Sequence, residues 1–86
     1  MGKPTRMPSL KALKVFQEAG RYLSFKEAAE VLFISPSAVS HQVKNLENYL
    51  GIELFVRKTR ALEFTDAGRK YFTFLDEMFS RLEAET

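Results

Sequence analysis

Ser37, Ser40, His41, Lys44 and Asn48 recur at helical spacing, with His41 directly after Ser40. On a helix those positions share one face. Their hydroxyl, imidazole, ammonium and amide groups are hydrogen-bonding groups, and the set contains no acid. Bond-making chemistry suits them poorly. Adjacent helical residues diverge by about 100°, so Ser40 and His41 do not form a base–nucleophile pair. His41 is the one histidine and cysteine is absent, which excludes most nucleophilic dyads and clustered zinc sites. Gly68-Arg69-Lys70 lacks the upstream glycine of a phosphate-binding loop. The remaining chemistry is recognition. Short polar side chains on an exposed helix can probe base edges in a DNA major groove.

The helix that must carry them is well marked. Val39, Val43, Leu46 and Leu50 form an apolar stripe on the opposite side, to be buried. Ser35 can cap the first N–H groups, Pro36 fits the first helical position, and Gly51 fits the left-handed position after Leu50. A solvated serine-rich surface helix matches these residues equally well, so the neighbouring segments must discriminate. Upstream, Ser24 and Glu27 make an S-x-x-E capping box, and Phe25, Ala28, Ala29 and Leu32 share a face. Phe33 and Ile34 break the periodicity and lead to Ser35. Two helices joined by three or four residues form a helix-turn-helix, and only the second bears the acid-poor face.

A first helix is expected from Ser9 to about Ala19, with Gly20 as its stop. After the helix pair, residues 54–57 and 60–64 alternate with period two around Lys58-Thr59. The expectation is a β-hairpin with Arg57, Lys58 and Arg60 at its tip. Without Asn-Gly or a glycine its turn type and register stay open. A basic hairpin beside a helix-turn-helix is a wing, suited to phosphates or an adjacent minor groove. Thr65 then caps one long helix, with Asp66 in its first turn. Tyr71, Leu75, Met78 and Leu82 make its stripe, widened by Phe72 and Phe79. A core this small is expected to leave part of that stripe uncovered, which points to self-association through Tyr71, Leu75, Met78, Phe79 and Leu82.

Eighty-six residues make a single domain. The expected divisions are a flexible basic arm at 1–8, a winged helix-turn-helix at 9–64 and a linker or dimerisation helix at 65–86. No cysteine is consistent with a reducing cytoplasm, and no apolar run approaches a membrane span or signal peptide. Residues 1–26 carry six basic side chains and one acid, and residues 57–72 five and two. The other stretches are net acidic. Basic character therefore concentrates on the parts expected to flank a groove-inserted helix. A winged helix serving as a protein–protein adaptor would carry apolar or acidic side chains on the exposed face of residues 36–48. The Ser, His and Lys found there favour DNA.

Ala28-Ala29, Ser35-x-x-Ala38-Val39-Ser40, Leu46-Glu47, Leu50-Gly51, Leu54-Phe55-x-Arg57 and Thr65-x-Ala67-Gly68, in this order, resemble the N-terminal DNA-binding domain of LysR-type transcriptional regulators. The resemblance covers about residues 8 to 86. Arg21 to Phe25 and Ser40 to Lys44 are most similar to the branch with the glycine-cleavage activator and the β-lactamase regulators. It implies a mainly α fold: three helices and a β-hairpin wing, followed by a long C-terminal linker helix. It implies a homodimer on double-stranded DNA reading an interrupted dyad; no cofactor, metal or catalytic group is expected. Pro36, Ser37, Ser40, His41 and Lys44 would face the major groove. Arg57 and Arg60, with Ser35, Lys26 and Lys58, would meet the backbone or minor groove. Thr65 and Gly68 would be structural. Pro36 stands where the family usually has Gln, so an adenine-reading amide is lost there. Family members continue into an effector-binding domain that this sequence lacks, so an isolated or truncated DNA-binding domain is expected.

Overall fold

The structure, a computed structural model, describes residues 8–85; the expected basic arm, apart from Pro8, lies outside them. The order is α1 (Leu10–Tyr22), α2 (Phe25–Leu32), α3 (Pro36–Leu50), β1 (Phe55–Arg57), β2 (Leu62–Phe64) and α4 (Asp66–Glu85). This is the expected winged helix-turn-helix with a long terminal helix.

Three serines start the first three helices. Ser9, Ser24 and Ser35 accept from the backbone N–H of Ala12, Glu27 and Ala38 at 3.0, 3.0 and 3.1 Å. Each satisfies an N–H that has no partner inside its helix. Gly51 ends α3 at φ 75°, as expected. Gly20 does not end α1. The helix runs on to Tyr22, and Leu23 caps it at φ 49°. Gly20 serves close packing instead: a Cβ there would lie 2.6 Å from Phe72 Cδ1 and 2.9 Å from Phe64 Cζ. The turn between α2 and α3 is three residues. Phe33 takes φ 60°, and the Ile34 N–H donates back to the Ala29 carbonyl at 3.1 Å, closing the end of α2.

The core centres on Phe16, which is fully buried. Its ring meets Phe55 at 5.4 Å, Tyr71 at 5.7 Å and Phe72 at 6.3 Å, tying α1 to the wing and to α4. Ala28 and Ala29 are buried and let α1 and α3 approach α2. Val39, Val43 and Leu46 complete the apolar back of α3. Each fully buried side chain of this size contributes ~1.5–3 kcal/mol. Burial, and then the neighbouring Tyr49, hold the Tyr71 phenol above its ordinary value.

The stripe on α4 is covered more fully than expected. Leu75 is 1% and Phe79 8% exposed, both in the same core cluster as Leu13 and Phe16. Polar contacts reinforce this seam. Gln17 donates to Asp76 at 3.1 Å, Arg21 pairs with Asp76 at 3.6 Å, and the Lys14 ammonium sits 5.0 Å from the Phe79 ring centroid. Leu75 and Phe79 are therefore not an open self-association stripe. Leu82 is 55% exposed and Phe74, which lies at the edge of the stripe, 59%. Met78 and Tyr71 are half-buried.

The wing is a two-stranded antiparallel hairpin pairing Phe55 with Phe64, Val56 with Glu63 and Arg57 with Leu62. Lys58 and Ala61 exchange backbone hydrogen bonds at 2.8 and 3.4 Å, so the turn centres on Thr59-Arg60, one residue later than expected. Neither takes a positive φ, which accounts for a hairpin without glycine at its tip. Two side chains fix the hairpin to the helices. The Glu47 carboxylate, 8% exposed, accepts from the N–H of Leu54 at 2.7 Å and of Phe55 at 3.3 Å. The Thr65 hydroxyl donates to the Glu53 carbonyl at 2.6 Å and accepts from the Gly68 N–H at 2.9 Å. That makes Thr65 the cap of α4, as expected. Gly68 lies so close that a Cβ would stand 1.9 Å from the Leu54 carbonyl oxygen.

Candidate nucleic-acid interface

The polar face of α3 is held out by the burial of its back. Ser37, His41, Lys44 and Asn48 are exposed and Ser40 is half-exposed, while Val39, Val43 and Leu46 are almost fully buried. Ser37, Ser40, His41 and Lys44 line one shallow depression, with Arg57 of the wing as its fifth wall. Five residues picked from two separated segments thus converge on one surface, and none of them is acidic.

The wing's contribution differs from the simple picture of a charged tip. Arg57 turns toward α3. Its Nη1 donates to Ser40 Oγ at 3.1 Å, and its guanidinium carbon sits 5.0 Å from the centroid of the Phe25 ring. Lys58 and Arg60 are exposed at the tip, with Lys58 Nζ 3.5 Å from Glu63 Oε1. Such an exposed pair is worth little, and the ammonium stays available. Lys26 is exposed in the first turn of α2, and Pro36 is exposed at the first position of α3. Ser35 is committed to capping: its Oγ accepts from the Ala38 N–H and lies 3.2 Å from Ser37 Oγ.

Part of the basic N-terminal stretch belongs elsewhere. Lys14 donates to Gln17 at 2.8 Å and lies 3.8 Å from Glu18, and Arg21 pairs with Glu18 and Asp76. These cations join α1 to α4 and do not extend the α3 surface. Counting charge along the chain could not separate the two uses. Two contacts also escaped sequence reasoning. Glu47 follows Val39 and Val43 by four-residue steps, and an acid on a buried stripe is a readable sign of an internal acceptor. The Arg57–Ser40 bond joins residues seventeen apart and leaves no such sign.

Among the described residues, no helix is long and apolar enough to cross a membrane, and no cluster of three His, Cys, Asp or Glu could hold a metal.

Residues 10–69 match the family model described as bacterial regulatory helix-turn-helix protein, lysR family. The glycine cleavage system transcriptional activator of Escherichia coli (strain K12) is 51% identical over 81 residues, covering 94% of this chain and 27% of that protein. A homologue of that activator from Haemophilus influenzae is 49% identical over 81 residues, again with 94% and 27% coverage. The chain thus spans about a quarter of the length of these relatives. The crystal structure of the BenM_DBD/benA site 1 DNA complex matches with a TM-score of 0.83 and 30% identity, over 90% of this chain and 86% of that one. With the model covering most of the chain and the fold agreeing over nearly all of it, this chain belongs to the LysR family of bacterial helix-turn-helix regulators.

Proposed function

We propose that this chain is the DNA-binding part of a transcriptional regulator, with α3 in the major groove and the wing against the flanking backbone. The observation that carries this is the acid-free depression of Ser37, Ser40, His41, Lys44 and Arg57 on a helix whose back is buried. Similarity to a domain solved on DNA supports the same placement. Short polar side chains suit base edges, while Lys44 and the tip cations Lys58 and Arg60 suit phosphates. Pro36 and Ser37 begin the groove-facing turn. Lys26 and the capped N-terminus at Ser35 stand where a backbone phosphate would pass.

The reading includes a homodimer on an interrupted dyad, residence in the cytoplasm, and a role in binding instead of catalysis. In the relatives about three quarters of the length lies outside the matched region. Effector sensing is accordingly assigned to that remainder. Selection of bound duplexes from a random pool is the direct test. Enrichment of two related half-sites about 34–36 Å apart, or a multiple of that, is expected. Recovery of no sequence above the starting pool, with binding that tracks charge alone, would rule out sequence-specific recognition.

A further inference from the structure

Phe25, Ser40 and Arg57 come from α2, α3 and β1 and meet at the edge of the proposed reading surface. Phe55 precedes Arg57 by two residues, so both side chains leave β1 on the same side. The Phe55 ring packs edge-on against Phe25 at 5.9 Å and 86°, which places the following Arg57 over the Phe25 ring at 5.0 Å. A guanidinium over an aromatic face is held by the ring quadrupole. From there Nη1 donates to Ser40 Oγ at 3.1 Å. No carboxylate pairs with Arg57 among the described residues.

This bond sets the sense of Ser40. A serine hydroxyl can donate or accept, and here its oxygen is engaged as the acceptor. Its proton is left to donate. Arg57 cannot accept at all, and most of its five N–H groups remain unspent. We propose that Arg57 and Ser40 act as one donor-only unit that takes an acceptor-only group of DNA, with Phe25 as the residue that positions it. Guanine shows the major groove two acceptors, N7 and O6, enough for both donors; thymine presents one acceptor, O4, beside its methyl, and adenine and cytosine each present an amino group there. A phosphate oxygen offers the same acceptor chemistry. The inference rests on the DNA-binding reading and regroups Arg57 with the recognition helix instead of the wing tip.

The test uses a duplex selected from a random pool by the unmodified protein. Affinity is measured for that protein, Ser40→Ala, Arg57→Gln and the double variant. The same four are measured on duplexes carrying adenine in place of each half-site guanine in turn. Each single variant should lose about 5- to 100-fold, and the double no more than the worse single. If the acceptor is a guanine, one replaced duplex binds all four proteins alike; if it is a phosphate, the losses are equal on every duplex. Single losses that multiply in the double variant would overturn the unit. Phe25→Leu should weaken binding about threefold, Phe25→Tyr should restore it, and neither should matter beside Arg57→Gln. A loss from Phe25→Leu that persists beside Arg57→Gln would remove Phe25 from this role. Thermal unfolding of each variant separates lost binding from lost folding. If the unmodified protein enriches no duplex, the DNA-binding reading itself fails, together with the unit built on it.

Discussion

At the scale of single residues, the junction of α3, wing and α4 depends on a buried acid and a bare Cα. Glu47 stands on the buried stripe of α3, and its carboxylate supplies the acceptor for two consecutive N–H groups at the start of the wing. Gly68 looks like a poor helix former near a helix start, yet only its bare Cα lets α4 lie on the Leu54 carbonyl. Gly68→Ala would place a Cβ 1.9 Å from that oxygen, which is backbone and cannot swing away. Alanine's better helix propensity offsets up to about 1 kcal/mol. Overpacking costs about 1–3 kcal/mol or more, so the variant should be less stable by urea unfolding. A stability equal to the unmodified protein would show that the junction yields. The sequence carried the outline of this region: Thr65 as cap follows from local chemistry, and a structural Gly68 from the family pattern. The partner of each was not legible, because Glu53 and Leu54 approach only when the chain has folded back on itself.

Elements tell a similar story, with local signals read well and tertiary choices less so. The serine caps, Pro36 at the start of α3 and Gly51 at its end are all local chemistry, and all appear where the sequence puts them. The end of α1 is different. Gly20 has the propensity of a stop, but packing of α1 against Phe64 and Phe72 outweighs it, and the turn falls to Leu23. The turn between α2 and α3 shows a cost accepted within the element. Phe33 is 92% exposed and sits at φ 60°. That backbone region costs a side-chain-bearing residue about 1–2 kcal/mol, and an exposed ring recovers little by burial. Phe33→Gly removes the strain and adds about 0.5–1 kcal/mol of backbone entropy cost. The net expectation is a gain of about 0.5–1 kcal/mol by urea unfolding. A loss of stability would mean that the ring makes contacts worth more than the strain. The wing invites a separate measurement. Arg60 lies in its two-residue turn, exposed, and takes no part in the Arg57–Ser40 bond. If it meets one phosphate, Arg60→Ala should weaken binding to all duplexes and flatten the log–log salt slope by about 0.9. An unchanged slope would take the tip off the DNA.

For the whole molecule, the question is which apolar surface one chain leaves for another. Reading the stripe of α4 without its surroundings suggests that Leu75 and Phe79 face a partner. The fold shows why that inference overreaches: α4 lies along α1, and Phe16, Leu75 and Phe79 bury one another's surroundings in a shared cluster. The seam is sealed by Gln17, Arg21 and Asp76. What remains open on α4 is Phe74 and Leu82, with Met78 half-buried between them in sequence. Two large apolar side chains more than half in water are a modest patch, yet on a helix of 20 residues they could pair across a two-fold axis. Such pairing would turn two weak half-site contacts into one stronger one through effective concentration. The consequences separate cleanly. Leu75→Glu buries a charge in the core and should unfold the chain or cost it several kcal/mol. Phe74→Glu with Leu82→Glu touches only exposed positions and should leave thermal unfolding of the monomer little changed. If α4 carries the dimer, this second pair should shift sedimentation equilibrium to monomer and lower affinity for a full dyad to near that for a half-site. A protein that stays dimeric with Phe74 and Leu82 both replaced would place the interface elsewhere. One that is monomeric at tens of micromolar before any substitution, and binds a dyad no better than a half-site, would remove the dimer from the reading altogether.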